Sequence, residues 1–286
     1  MIVGVVGAGA WGTALAITAA RGGSDVILWS YDGMAAEFDG VDMPQNIKLT
    51  RNMADLSMAD VWLVVTPAAY FRDTVRAARE HYNGCPIIIC TKGAEYSTGC
   101  FVSEILRSEL PACSDIGVLS GPQFAAEVAS GIPTGSTLAG TPNARKCGAM
   151  ALNKLYLSES DDVIGAEICG VGKNAVALIC GYNTVKCGEN ERAMIFTRAW
   201  GEVVKIGMAL GAHESTFLDL CGIGDLFLSA TSPTSRNFSA GMAIARGQNI
   251  VGTVEGIYAL HGILARADSV GVKAPVLGQM CEELKI

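Results

Sequence analysis

The sequence predicts an α/β protein of two domains. A doubly wound, mostly parallel sheet domain spans residues 1–165, and an all-helical domain follows over residues 166–286. Three observations carry the prediction. Short aliphatic runs alternate with helical stretches in the first part, as in βα units. The strand signal stops after Gly165. A glycine-rich turn stands between the first apolar run and the first helical stretch. The length of 286 residues suits two domains of roughly 100–200 residues each.

Taken in order, the expected strands are 2–6, 25–29, 61–65, 86–91, 116–119 and 136–139. Several are continuous apolar runs rather than alternating ones, the pattern of strands covered on both faces by helices. The first helix is expected over 13–21. Beyond residue 165, stretches 166–186 and 191–210 read as long helices joined at 187–190. A Gly-rich turn at 221–224, a polar loop at 229–237 and further helical segments follow. The most apolar stretch, 164–185, is interrupted by Glu167 and Lys173, whereas a membrane span needs roughly 20 apolar residues, so it reads as a buried helix.

Composition narrows the function classes. Half the residues are apolar and 17% are charged, which excludes a disordered chain. A net charge of -7 argues against nucleic acid or an anionic membrane as partner, so a bound phosphate must rely on individual Lys and Arg residues. The ten cysteines contain no C-x-x-C pair, and they read as thiols of a reducing cytoplasm. His81, His213 and His261 are scattered, and no metal is expected. The chain enters an apolar run at Ile2 with no basic segment before it, so no signal peptide is expected.

Gly7-Ala8-Gly9-Ala10-Trp11-Gly12 forms G-x-G-x-x-G between strand and helix, a Rossmann-type signature. Gly7 permits the tight turn, Gly9 lets backbone approach a pyrophosphate, and Gly12 lets the helix pack on the strand. The helix N-terminus offers its N–H groups to the phosphates. Asp32 lies about 20 residues on, where an acid binds the ribose 2′-hydroxyl of NAD. It follows the strand end by three residues, while Ser30 and Tyr31 suit either ribose and Arg51 has no clear route to it. Both NAD and NADP stay open as cofactor.

Lys173 stands in the middle of a helical stretch with Cys169, Gly170, Val176 and Ala177 around it. Burial disfavours the ammonium, which is how a lysine becomes a proton donor or acceptor near neutral pH. The alternative is a side chain that carries its amine out to solvent. Gly170 and Gly172 suggest that another element packs closely there. Thr91-Lys92-Gly93 lies at a strand's C-terminal end, where doubly wound sheets place ligands. Ser235-Arg236-Asn237 gathers a hydroxyl, a guanidinium and an amide suited to a phosphate. Asp225 is an acid in an apolar loop that could orient Lys173 or a substrate hydroxyl, or simply form a turn.

Together these residues resemble the bacterial NAD(P)-dependent glycerol-3-phosphate dehydrogenase family nearly end to end. The likeness rests on the glycine turn through Ala16, Thr91-Lys92-Gly93, Ser120-Gly121-Pro122-Gln123-Phe124-Ala125 with Glu127, and Gly131-Ile132-Pro133-Thr134. It continues through Gly172-Lys173-Asn174, Gly222-Ile223-Gly224-Asp225-Leu226, Ser235-Arg236-Asn237 and Val254-Glu255-Gly256. The resemblance implies reversible hydride transfer between dihydroxyacetone phosphate and sn-glycerol 3-phosphate, for glycerophospholipid synthesis in the cytoplasm. It implies Lys173 as the catalytic acid or base, and Lys92, Gly121, Gln123, Lys173, Asp225, Ser235, Arg236 and Asn237 as substrate contacts. Its dinucleotide contacts would be Gly7, Gly9, Ala10, Trp11, Gly12, Tyr31, Lys92, Ala125, Arg236, Val254 and Glu255. The partner is a small-molecule substrate, with no stable membrane insertion, and a homodimer is an assembly the resemblance allows.

Three features depart from the family pattern. Gln123 replaces a usual small hydroxyl residue, Thr66-Pro67-Ala68 lacks a hydroxyl often found after the proline, and the chain ends at Ile286, earlier than typical members. Two alternatives therefore stand beside the main expectation. One is a related reductase of another phosphorylated or carboxylated 2-keto substrate. The other is a dinucleotide sensor without catalysis, which would have no need of Lys173, Lys92, Asp225 and Arg236 together.

Overall fold

A computed structural model describes residues 1–95, 98–250 and 254–285. The chain forms two units, Met1–Lys92 with Val102–Val163, and Gly93–Phe101 with the chain from Ile164 onward.

In the first unit the apolar runs become strands β1 (Ile2–Val6), β2 (Asp25–Trp29), β4 (Val61–Val64), β5 (Ile87–Ile89), β6 (Ile116–Ser120) and β7 (Gly135–Gly140). Two further strands, β3 (Ile47–Thr50) and β8 (Tyr156–Ser160), complete an eight-stranded sheet of order β3-β2-β1-β4-β5-β6-β7-β8. All neighbours are parallel except β6 and β7. The sequence expectation missed β3 and β8 for one reason. Both are edge strands with exposed or half-buried residues, so neither carries the continuous apolar run by which the inner strands announce themselves.

Strand order reverses between β1 and β4, the switch point where open α/β sheets bind ligands. Helices α1 (Ala10–Arg21), α2 (Ala68–Ala78), α3 (Val102–Glu109), α4 (Ala125–Ser130) and α5 (Pro142–Ala151) connect the strands. Small residues Ala16, Ala19 and Ala20 let α1 pack closely on Val3, Val5, Val26 and Leu28 of the sheet. Helix α5 starts where local chemistry dictates, with Thr141 accepting from the Ala144 N–H and Pro142 in the first turn. Between α2 and α3, Glu109 accepts from Arg72 at 2.6 Å and from Arg76 at 2.9 and 3.0 Å. Those bonds, Arg76 first, hold its carboxyl below the usual glutamate range.

In the second unit every named element is a helix: α6 (Val163–Lys186), α7 (Glu189–Ala209), α8 (Asp225–Thr231), α9 (Arg236–Ala245), α10 (Glu255–Ser269) and α11 (Pro275–Leu284). Helix α6 is apolar and long enough to cross a membrane by composition, but its most apolar eighteen residues are 83% buried. Its glycines explain how. A side chain on Gly172 would strike Val203 of α7, and one on Gly181 would strike the Phe238 carbonyl of α9. Gly241 of α9 meets the Leu178 carbonyl in the same way, so α6 and α9 cross backbone to backbone.

The polar loop expected at 229–237 is shorter than the sequence suggested. Ser229 lies inside α8, and Arg236 opens α9 behind Ser235 as its N-cap. Segment Gly93–Phe101 also belongs to this unit, which a division of the sequence at residue 165 does not assign to it. Arg266 of α10 holds the segment, stacking 4.4 Å from the Phe101 ring and donating to the Gly99 carbonyl at 2.9 Å.

Candidate active site

In the first unit the glycine turn closes on itself and opens outward. Gly7 has φ +115°, a conformation that favours glycine, and its N–H donates to the Trp29 carbonyl at 3.0 Å. A Cβ on Gly12 would collide with the Gly7 carbonyl, so only glycine allows α1 to start this close to β1. A Cβ on Gly9 would meet nothing within 4 Å, and Gly9 caps α1 without a side-chain bond. With no acid in the first turn of α1, its N–H groups remain for an anion. The cradle fits a dinucleotide pyrophosphate by its own geometry.

Around this turn, Ala10 is exposed, Trp11 is half-buried and Tyr31 is 86% exposed. Lys92 follows β5 and donates to the Gly121 carbonyl at 2.8 Å. Gly121 lies so close to Ser136 that a side chain would strike its Cα. Ala125 opens α4. Several buried polar atoms here lack a hydrogen-bond partner: Trp11 Nε1, Thr66 Oγ1, Ser120 Oγ, Ser136 Oγ and both amide atoms of Gln123. Native proteins leave few such groups unpaired. Thr66, Ser120, Gln123 and Ser136 lie at or just beyond the ends of β4, β6 and β7 and Trp11 in the first turn of α1, and a ligand can supply the missing partners.

In the second unit Lys173 sits in α6 with its Nζ 3.2 Å from Asp225 Oδ1, the two side chains being 12% and 2% exposed. The Lys173 ammonium also donates to Ser229 Oγ at 2.9 Å, and that hydroxyl lies 3.3 Å from Asp225 Oδ1. The sequence offered Asp225 either as a group that orients Lys173 or as a turn former, and the structure pairs the two side chains. A tight turn at Leu220–Gly224, where a Cβ on Gly222 would strike the Phe217 carbonyl, delivers Asp225 to the start of α8. Ser229 was missed by sequence reasoning, although its spacing of one helical turn from Asp225 was the available signal.

A second polar group lies one residue along α6. Asn174 Oδ1 accepts from Asn237 Nδ2 at 2.8 Å, and Asn237 Oδ1 accepts the Gly256 N–H at 2.9 Å. Asn174 Nδ2 reaches Glu255 Oε2 at 3.4 Å. Asn237 is thus buried and tied inward, and Ser235 is a buried N-cap whose Oγ accepts from the Phe238 N–H. Arg236 stands out, its side chain 84% exposed and 3.9 Å from Glu255 Oε1. Val254 is buried and caps α10, which Glu255 opens. Among the described residues no three His, Cys, Asp or Glu side chains gather as metal ligands.

A parallel sheet with a glycine cradle at its switch point, followed by a helical unit that buries a lysine–aspartate pair, defines the class of NAD(P)-dependent dehydrogenases. Within that class the chain belongs to the NAD-dependent glycerol-3-phosphate dehydrogenase family. The family's N-terminal region matches residues 2–146 and its C-terminal region residues 162–285.

The glycerol-3-phosphate dehydrogenase [NAD(P)+] of Paramagnetospirillum magneticum is 40% identical over 260 residues, covering 83% of this chain and 92% of that protein. The Parvibaculum lavamentivorans protein of the same name is 36% identical, covering 96% and 89%. The crystal structure of glycerol-3-phosphate dehydrogenase from Coxiella burnetii superposes with a TM-score of 0.90 at 29% identity, covering 99% of this chain and 94% of that one.

Proposed function

We propose that this protein interconverts dihydroxyacetone phosphate and sn-glycerol 3-phosphate with NAD or NADP, providing backbone for glycerophospholipids in the cytoplasm. The Lys173–Asp225–Ser229 group is the observation that carries the reading. As the ketone is reduced, negative charge grows on the C2 oxygen. The Lys173 ammonium stabilises that charge and donates the proton, and in the reverse direction the neutral amine takes it back. Asp225 and Ser229 aim the amine, one through an ion pair at 3.2 Å and the other through a hydrogen bond at 2.9 Å. The bound dinucleotide supplies or accepts the hydride at C2.

Binding follows from the same side chains. Arg236, exposed and 3.9 Å from Glu255 with no shorter ion pair among the described residues, is available for the phosphate, with Ser235 and Asn237 at the same helix start. Lys92, Gly121 and Gln123 complete the substrate contacts in this reading. Gly7, Gly9, Ala10, Trp11, Gly12, Tyr31, Lys92 and Ala125 hold the dinucleotide with Arg236, Val254 and Glu255. A second reading, a reductase of another 2-keto substrate, draws on the unpartnered carboxamide of Gln123, which could recognise a group that dihydroxyacetone phosphate lacks.

The test is oxidation of NADH and NADPH with dihydroxyacetone phosphate, set against a panel of 2-keto acids. Turnover confined to the keto acids refutes the main reading. Lys173→Ala is expected to abolish turnover with dinucleotide affinity largely retained, and near-wild-type turnover would remove Lys173 from the mechanism. Arg236→Ala is expected mainly to raise KM. A broken buried pair would have cost about 2–5 kcal/mol. Because the pair with Glu255 is exposed, the effect should instead be that of one charged hydrogen bond to phosphate, about 1.5–3 kcal/mol.

A further inference from the structure

In a doubly wound sheet the adenosine ribose of a dinucleotide lies at the end of the second strand, where an acid binds the 2′-hydroxyl of NAD and an arginine accommodates the 2′-phosphate of NADP. Here the segment after β2 folds back onto the glycine turn. Gly7 N–H donates to the Trp29 carbonyl at 3.0 Å, and Ala36 N–H donates to the Ala8 carbonyl and to Thr13 Oγ1, each at 3.1 Å. Between these ties Asp32 organises a tight turn. Its Oδ1 accepts the Met34 N–H at 2.9 Å and the Ser30 hydroxyl at 2.8 Å. Those bonds, Met34 first, hold its carboxyl below the usual aspartate range, so the exposed Asp32 is an anion at neutral pH.

Other groups in the turn also disfavour a phosphate. The Ser30 hydroxyl has one hydrogen, and both of its neighbours, Asp32 Oδ1 and the Met34 carbonyl, lie inside the turn. Arg51, for which sequence alone showed no route, packs its side chain beside Gly33, near enough for its charge to lower the Asp32 carboxyl slightly further. One cation opposite one anion leaves no surplus positive charge for a group of about -1.5 to -2. Glu37, Asp39 and Asp42 follow in the same loop, and the Lys48 ammonium lies 2.8 Å from Asp55.

We infer that this turn selects NADH over NADPH, with Asp32 as the specificity-determining residue. Its free oxygen accepts the ribose 2′-hydroxyl, and its charge repels a 2′-phosphate. The inference rests on the dinucleotide reading of the glycine turn and deepens it.

The test measures dissociation constants of NADH and NADPH by calorimetry on the full chain, at low and high salt, for wild type and Asp32→Asn. The asparagine keeps an acceptor for the Met34 N–H and removes the charge. Wild type is expected to bind NADH at least about tenfold more tightly, a preference equal to about 1.4 kcal/mol. The ratio should narrow at about 0.5 M salt, because screening weakens exposed repulsion. Asp32→Asn should collapse the ratio by lowering NADH affinity and raising that of NADPH.

Equal or tighter NADPH binding by wild type overturns the selectivity while leaving the dinucleotide site intact. A ratio that Asp32→Asn leaves unchanged overturns the role of Asp32. Binding of neither dinucleotide overturns the reading of the glycine turn and this inference with it. The wild-type ratio and its salt dependence do not require the variant to fold.

Discussion

Replacing Asp225 with asparagine keeps shape and removes one charge, and the geometry sets the scale of the effect. The Lys173 Nζ and Asp225 Oδ1 are 3.2 Å apart with side chains 12% and 2% exposed. At an effective dielectric constant of about 20, two unit charges at that separation attract by about 5 kcal/mol. Removing one partner of a buried pair is found to cost about 3–5 kcal/mol, because the remaining charge is stranded. Ser229 still accepts from the amine, which relieves part of the loss, so about 3 kcal/mol is the expected cost.

Native-state hydrogen exchange of α6 and α8 amides reads this within the helical unit, independently of unfolding in the sheet unit. The cycle closes with Lys173→Met, which removes the stranded charge. The double variant should recover much of the loss, giving a coupling of about 2–3 kcal/mol. A cost below about 1 kcal/mol, as for an exposed pair, with additive single effects would refute the account of a buried pair.

Three further outcomes are expected. Gly9→Ala should leave stability within about 0.5 kcal/mol, since its Cβ meets open space, yet weaken dinucleotide binding measured by calorimetry. Gly12→Ala, whose Cβ would strike the Gly7 carbonyl, should destabilise the sheet unit by about 1–3 kcal/mol in thermal unfolding. Equal behaviour of the two variants would contradict the described turn. Glu202 is buried and accepts the Val276 and Leu277 N–H groups at the start of α11, both at 2.9 Å. Glu202→Ala should therefore cost about 1.5–3 kcal/mol, read as faster exchange of α11 amides.

The pH dependence of Glu109 has a definite sign. Its folded-state carboxyl is depressed by Arg76 and Arg72, so its contribution is complete above the ordinary glutamate range and is lost as pH falls through the depressed value. Glu109→Gln should be less stable than wild type at neutral pH by up to about 1 kcal/mol, and the gap should close in acid. A gap that persists in acid would show that packing, not charge, separates the two.

Much of the protein was legible in its sequence because the relevant physics is local. The turn Gly7–Gly12 could be read from spacing alone, since a positive φ and a backbone collision are imposed within a few residues. Inner strands such as β1 and β2 followed from continuous apolar runs, and the order of short motifs along the chain pointed to the family. Edge strands β3 and β8 were not legible, because half their surface faces solvent and their residues carry no apolar signature.

Contacts between distant segments were decided only by the fold. The sequence left Asp225 as either a partner of Lys173 or a turn former, and the crossing of elements settled the pair and added Ser229. Arg51 had no visible route to the ribose, yet parallel pairing of β2 with β3 sets it beside the Asp32 turn. Arg236, which the sequence grouped with Ser235 and Asn237 as suited to a phosphate, is exposed while its two neighbours are buried. Local sequence determines backbone geometry and hydrophobic pattern, whereas electrostatic partners depend on the path of the whole chain. The sequence alone thus marked a glycine turn after the first strand and a lysine set in an apolar helix, and the tertiary structure decided which charges surround each of them.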